Sequence, residues 1–137
     1  MELTDLEKGY VAGIIDGEGT ITLTYVHSSN KFRAPSIEVT STTLEMLEKM
    51  KALAGGTISK VSKRAEHHKQ AYRWCIRYNA VIDLLKEISE YLLEPKKKYR
   101  ADLILSTYKE VTPRNGKYSK EKLKAKLQFE EDFFKEI

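Results

Sequence analysis

Two hydrophobic periods alternate along the chain. Leu6, Tyr10 and Ile14 recur every four positions, which is one stripe of a helix. Thr4 with Glu7 forms a capping box ahead of them, so a helix is predicted from about Asp5. It ends in the glycine-rich turn Asp16-Gly17-Glu18-Gly19. From Thr20 to Val26 hydroxyl and apolar residues alternate strictly, the period of a half-buried strand. A turn over His27 to Asn30 leads to a second strand, Arg33 to Ser41, with Ile37 and Val39 inward. Thr42 and Glu45 make a second capping box, opening a helix with Leu44, Leu47 and Leu53 that stops at Gly55-Gly56. Strands follow at Thr57 to Lys63 and Ala71 to Tyr78, the latter with Tyr72, Trp74, Ile76 and Tyr78 on one face. Asn79 caps a third helix with Val81, Leu84, Leu85 and Ile88. Pro95 is a break, Lys96 to Tyr108 a fourth helix, and Ser119 to Glu136 a last one carrying Leu123, Leu127 and Phe134.

The order is α-β-β-α-β-β-α with helical additions. Two hairpins predict an antiparallel sheet with helices on one face, an α+β fold. The 137 residues suit one domain, 1–137. Composition changes this picture little. The net charge of +4 and pI near 9.0 point weakly to a polyanionic partner. Cys75 is the sole cysteine, which excludes an intrachain disulfide and a cysteine zinc cage, and fits a reducing compartment. The N-terminus does not read as a secretory signal, and no apolar run approaches the ~20 residues of a membrane span. The expectation is an intracellular protein, cytoplasmic or organellar, with no membrane partner.

The first helix carries its own puzzle. Gly9 and Gly13 lie inside it, each costing roughly 1 kcal/mol relative to alanine. With Ala12 they form a bare strip that admits a second helix at close range. They are either tolerated glycines in a packed helix or a contact with another copy. Asp16 and Glu18 then sit at the helix C-terminus, where the dipole is already negative. They are either solvated turn acids or a place for a cation.

These residues carry a resemblance. Val11-Ala12-Gly13-Ile14-Ile15-Asp16-Gly17-Glu18-Gly19 resembles the motif of LAGLIDADG homing endonucleases, with aliphatic replacements and Glu for the second Asp. It stands where the family has it, at the end of a first helix before a strand, and the element order matches to about Tyr108. The resemblance implies that motif helices pair at the centre of a homodimer, placing Gly9, Ala12, Gly13 and Asp16 at the interface. It implies that Glu18, in the motif's eighth position, binds metal with the carbonyl of Gly17. Asp16 would have a structural role at the helix end. A catalytic lysine is expected from Lys96-Lys97-Lys98-Tyr99-Arg100-Ala101; it aligns with Lys97, with Lys96 and Lys98 as alternatives. Two family glutamines are replaced, one by Arg100 and one by Ser41. Mg²⁺ is the implied cofactor, with Mn²⁺ substituting and Ca²⁺ supporting binding without cleavage. No small-molecule cofactor is implied. The partners are double-stranded DNA and a second copy, and family genes are commonly intron-encoded.

The sheet gives the DNA reading its surface. Ile21, Leu23, Tyr25, Ile37, Val39, Ile58, Tyr72, Trp74 and Ile76 should face the helices. The other face then presents Thr22, Thr24, Val26, Ser28, Ser36, Glu38, Ser59, Val61, Lys63, Arg73, Cys75 and Arg77, with Lys31, Arg33, Arg64 and Lys69 at hairpin ends. Hydroxyls and arginines can read base edges while lysines meet phosphates. A merely solvated sheet face has the same composition. His67 and His68 read as solvated loop residues. The function expected is metal-dependent hydrolysis of both strands of a long pseudo-palindromic site. An RNA-splicing maturase or a non-cleaving DNA-binding regulator on the same scaffold is the alternative.

Overall fold

A computed structural model describes residues 1–27 and 31–136. Helix α1 spans Asp5–Glu18, β1 Gly19–Thr24, β2 Ala34–Ser41, α2 Leu44–Ala54, β3 Thr57–Lys60, β4 Tyr72–Arg77 and α3 Asn79–Ile88. A 3₁₀ turn, Ser89–Tyr91, leads to α4 at Pro95–Leu103, which runs on as a π-helical segment, Ile104–Tyr108. Helix α5 is Lys120–Phe133. The strands form one antiparallel sheet in the order β1-β2-β4-β3. Helices cover one face of it, as the two-hairpin pattern predicts. Among the described residues no helix is long and apolar enough to cross a membrane.

Local chemistry explains the boundaries. The Thr4/Glu7 capping box closes in both directions at the start of α1. The expected box at Thr42 and Glu45 does not form; α2 starts at Leu44, and Ser41 Oγ accepts the Thr43 N–H at 3.0 Å instead. Asn79 is the first residue of α3, after Tyr78 in a left-handed conformation (φ 56°). The strands are shorter than their alternation, so Val26 and Val61 fall beyond β1 and β3.

The core lies between sheet and helices: Ile21, Leu23, Ile37, Val39, Trp74 and Ile76 from the strands meet Val11 and Ile15 of α1, Leu47 and Met50 of α2, and Val81, Leu84, Leu85 and Ile88 of α3. The inward assignment of alternate strand residues is therefore right, except that Tyr25 is exposed, past the end of β1.

Two helices present a different face from the one their spacing suggested. In α1 the buried residues are Val11, Ala12 and Ile15, while Leu6 is 85% exposed and Tyr10 is exposed too. In α5 the buried positions are Lys126, Phe129 and Phe133, and Leu127 is 54% exposed.

Candidate active site and nucleic-acid interface

Helix α1 turns into β1 without a loop, and Gly19 makes this possible. A Cβ there would stand 2.8 Å from Ile15 Cα and 3.0 Å from Ile15 O. The Gly19 N–H donates to Ile15 O. This tight turn leaves Gly17 and Glu18 exposed at the edge of the sheet.

Asp16 points the other way. Its carboxylate accepts the N–H groups of Leu93 (2.9 Å) and Glu94 (3.1 Å) from the segment before α4. That contact is within the chain and fits a structural role at the helix end. Glu94 continues the relay: it is the N-cap of α4, its Oε2 accepting the Lys97 N–H at 2.7 Å, with Pro95 beginning the helix. Lys97 Nζ then reaches back to donate to Ile15 O (2.9 Å) and Asp16 O (2.7 Å). Its ammonium sits against the negative end of the α1 dipole. Lys98 Nζ instead binds Ser89 O and the Asp102 carboxylate, and Lys96 is exposed. Of the three lysines, only Lys97 is held at the end of α1.

Arg100, one turn further, donates from Nη1 to Ile21 O at 2.9 Å. Its guanidinium lies 4.7 Å from the ring of Phe133 and 5.5 Å from that of Phe134. Burial lowers its pKa, and Nε is buried with no partner among the described residues. Arg100, Lys96, Lys97 and Glu94 line a cleft of about 290 Å³ with Gly19, Thr20 and Ile21. On the other side of α1, Glu18 borders a shallow groove of about 450 Å³ with Gly9, Gly13, Gly17, Tyr10, Ile14 and Met46.

Among the described residues no three Asp, Glu, His or Cys side chains gather into a metal cage. One carboxylate and carbonyl oxygens at a helix C-terminus are nonetheless hard donors of the kind Mg²⁺ takes while keeping waters and phosphate oxygens. The residues present fit a divalent cation shared with a ligand.

The helix face around this end is unusual. A Cβ added at Gly9, Gly13 or Gly17 would meet nothing within 4 Å. The three stand four apart, flanked by exposed Leu6 and Tyr10. Ala12, expected on this strip, is in the core, and is corrected accordingly; Gly17 takes its place.

The outer sheet face carries rows set by register: Thr22, Ser36 and Arg77; Thr20, Glu38, Cys75 and Thr57; Thr40, Arg73 and Ser59. Ser59, Arg73 and Arg77 are exposed, Thr22 and Glu38 half-buried, and Arg73 Nε stands 4.0 Å from Glu38 Oε2. Lys31, Lys63, Arg64 and Lys69 are exposed in the hairpin loops. The expected contacts of Ser36, Cys75, Thr24 and Arg33 need correction. Ser36 (0% exposed) and Cys75 (8%) are buried by their neighbours and pair with each other, Oγ to Sγ 3.7 Å, leaving no surface for a base edge. Thr24 keeps a buried Oγ1 with no partner among the described residues. Arg33 is taken by Glu130, Nη1 to Oε1 3.0 Å. Val26 and Val61 are half-buried. Ser28 lies outside the described residues.

Thr20, Glu94 and Arg100 are the site residues that sequence reasoning left aside. Thr20 shares the phase of Thr22, and Glu94 precedes a proline that opens a helix, so both had a signal; Arg100 was noted only as a replaced glutamine.

Residues 11–108 match the family described as LAGLIDADG endonuclease. Several solved structures share the fold. The homing endonuclease I-CvuI, in complex with its target in the presence of 2 mM Ca, is 20% identical with a TM-score of 0.70, over 93% of this chain and 80% of that one. The homing endonuclease I-TnaI is 20% identical with a TM-score of 0.62, over 98% and 90%. I-SmaMI bound to cleaved DNA is 20% identical with a TM-score of 0.62, over 93% of this chain but 43% of that one. None of the curated protein sequences matches the chain.

Proposed function

The chain belongs to the LAGLIDADG endonuclease family, and on that premise we propose that it acts as a homodimer that hydrolyses both strands of a long, pseudo-palindromic DNA site with a divalent metal. The observation that carries the reading is that an acid and a lysine flank one helix end, on opposite sides of it. Glu18 is exposed there, and Lys97 is fixed by the Ile15 and Asp16 carbonyls, beside a sheet face bearing Arg73 and Arg77. I-CvuI in complex with its target and I-SmaMI on cleaved DNA support duplex DNA as the ligand class. This chain spans most of the first and under half of the second. That ratio suits one half-site per chain, hence two chains per duplex.

Glu18 and the Gly17 carbonyl would hold the metal, Mg²⁺ in the first instance. A bound Mg²⁺ neutralises phosphate charge and acidifies water. Lys97 holds a positive charge facing the scissile phosphate, and its two carbonyl contacts fix where that charge sits. Asp16 and Glu94 hold α4 in register with α1, so they position Lys97 without touching DNA. The bare strip of Gly9, Gly13 and Gly17 would take the same strip of a second copy, bringing two Glu18 residues to the two strands.

The test is Glu18→Gln on a target selected from a randomised duplex library. Cleavage in Mg²⁺ should be abolished while affinity in Ca²⁺ changes little. Near-normal cutting by the variant would remove Glu18 from the site. A wild-type chain that binds a selected sequence and never cuts it would mark a DNA-binding regulator instead.

A further inference from the structure

The C-terminal helix touches the β1–β2 hairpin through a specific set of bonds. The Arg33 N–H donates to Glu130 Oε2 at 3.2 Å, and Arg33 Nη1 donates to Glu130 Oε1 at 3.0 Å. One carboxylate thus grips both the backbone and the side chain of Arg33. The guanidinium is also layered between rings, 4.6 Å from Tyr25 on the outgoing arm and 5.1 Å from Phe134 at the end of α5. Beside it, Phe32 and Tyr118 pack with their rings tilted by 51° and centroids 4.8 Å apart. The hairpin's two arms are therefore tied to each other and to a helix about a hundred residues downstream.

The place of this contact gives it meaning. Strand β1 leaves the active-site end at Gly19 and runs six residues outward. At ~3.3 Å per residue that is roughly 20 Å, about six base pairs along a duplex. With α1 at the centre of a two-copy assembly, the hairpin lies over the outer part of each half-site. The pairing of β1 with β2 ends at Thr24 and Ala34, and β4 holds β2 in the sheet from the other side. Beyond that last pair, at Tyr25 and Arg33, the contacts named above come from α5 and its end.

We propose that Glu130 is a positioning residue: through Arg33 it fixes the β1–β2 hairpin and so sets discrimination at the outer base pairs of the site. The inference rests on the DNA-cleavage reading above and adds a residue to it. Glu130 touches no base and no reacting atom.

The test uses the full chain with Glu130→Ala and the near-isosteric Glu130→Gln. The Arg33 amide reads the contact directly. Its hydrogen-exchange protection should fall at least tenfold in Glu130→Ala and much less in Glu130→Gln, which keeps an acceptor oxygen. The Ile37 amide, in the middle of β2, should not change. On single-base variants of the selected target, Glu130→Ala should lose discrimination about tenfold at outer positions and keep it at inner ones, with single-turnover cleavage of the bound cognate site unchanged. Glu130→Gln should restore most of that discrimination. Equal loss at all positions, or full outer discrimination despite an unprotected Arg33 amide, would overturn the proposal. A wild-type chain that discriminates nowhere would instead sink the reading beneath it. The two failures are told apart by the wild type, which discriminates between single-base variants in the first and nowhere in the second.

Discussion

Replacing Lys126 with methionine should stabilise the protein at neutral pH. Lys126 lies on the inner face of α5 and is 1% exposed. Its ammonium donates to Thr112 Oγ1 and lies 4.3 Å from the Tyr108 ring centroid, with Phe129 and Phe32 at 5.6 and 5.9 Å. Burial pushes the lysine down from 10.5 to about 8, opposed by the nearby Glu130 carboxylate. That interval corresponds to roughly 3 kcal/mol against the charged form. Below pH 8 both the folded and the unfolded chain carry the proton, so the cost is fully present. Between about pH 8 and 10.5 the unfolded chain holds more protons, and stability rises with pH. Methionine removes the charge and keeps a flexible apolar stem against the rings. The variant loses the Thr112 bond, about 1 kcal/mol, and the ring–cation attraction, about 1 kcal/mol. The net expectation is about 1 kcal/mol of added stability at pH 7, or ~3 °C in Tm. Urea unfolding followed by fluorescence of the buried Trp74 measures it directly. From pH 7 to 10 the wild type should gain roughly 2.5 kcal/mol on the variant, so the difference closes at about pH 9 and then reverses. Comparing the two cancels the titration of Tyr118, which burial pushes up. A variant less stable by 1 kcal/mol or more at pH 7, with no gain by the wild type up to pH 10, would refute the reasoning; the rings would then outweigh burial.

Gly13→Leu has room within the chain, so it should fold and run as a monomer by light scattering where the wild type should run as a dimer; an active, dimeric variant would remove the interface. Lys97→Met should slow single-turnover cleavage by ~10² or more with little change of affinity in Ca²⁺, while Lys96→Met and Lys98→Met cut normally, because only Lys97 is fixed at the end of α1. Removing Lys63 or Lys69 should lower the salt slope of binding by about one unit each without changing base preference. Arg77→Ala, by contrast, should cost ~1–3 kcal/mol of discrimination at one or two base pairs, and uniform loss over single-base variants would put Arg77 on phosphates.

The strands were legible because period two has only two outcomes, and core burial picks one. Alternation places Ile21, Leu23, Ile37, Val39, Trp74 and Ile76 inward, where they are. It says which face a residue takes, and nothing of what neighbours cover that face. Ser36 and Cys75 take the outer face and are buried on it. Arg33 is lost to Glu130, 97 positions away, a pairing that no local pattern contains. The site was legible in part for the same reason. Glu18 and the basic stretch stand out, but the choice among three adjacent lysines depends on helix phase. That phase is set by Glu94 as N-cap and Pro95 as first residue, which turn Lys97 back toward α1. Lys126 could not be found by counting apolar residues, since it occupies a core position of α5 as a charged residue.

Helix α1 shows why a correct period can still give a wrong face. Leu6, Tyr10 and Ile14 do form a stripe, and so do Val11 and Ile15; the helix is apolar on two sides. The core takes the second, and of the first only Ile14 packs against it, leaving Leu6 and Tyr10 in solvent beside Gly9, Gly13 and Gly17. A second apolar face on a helix ordinarily has a partner. The glycines sharpen the point. Within this chain each could carry a side chain without contact, yet Gly9 and Gly13, inside the helix, each forgo roughly 1 kcal/mol of helix stability relative to alanine. Roughly 2 kcal/mol over those sites is a sizeable share of a typical domain's roughly 5–15 kcal/mol. Among the described residues nothing occupies the space that side chains there would fill. A second backbone lying against the strip would offset that cost, since it needs that space. The same helix end carries Glu18, so the face left open by the fold and the acid left open by the helix turn would be completed together by one symmetric pairing.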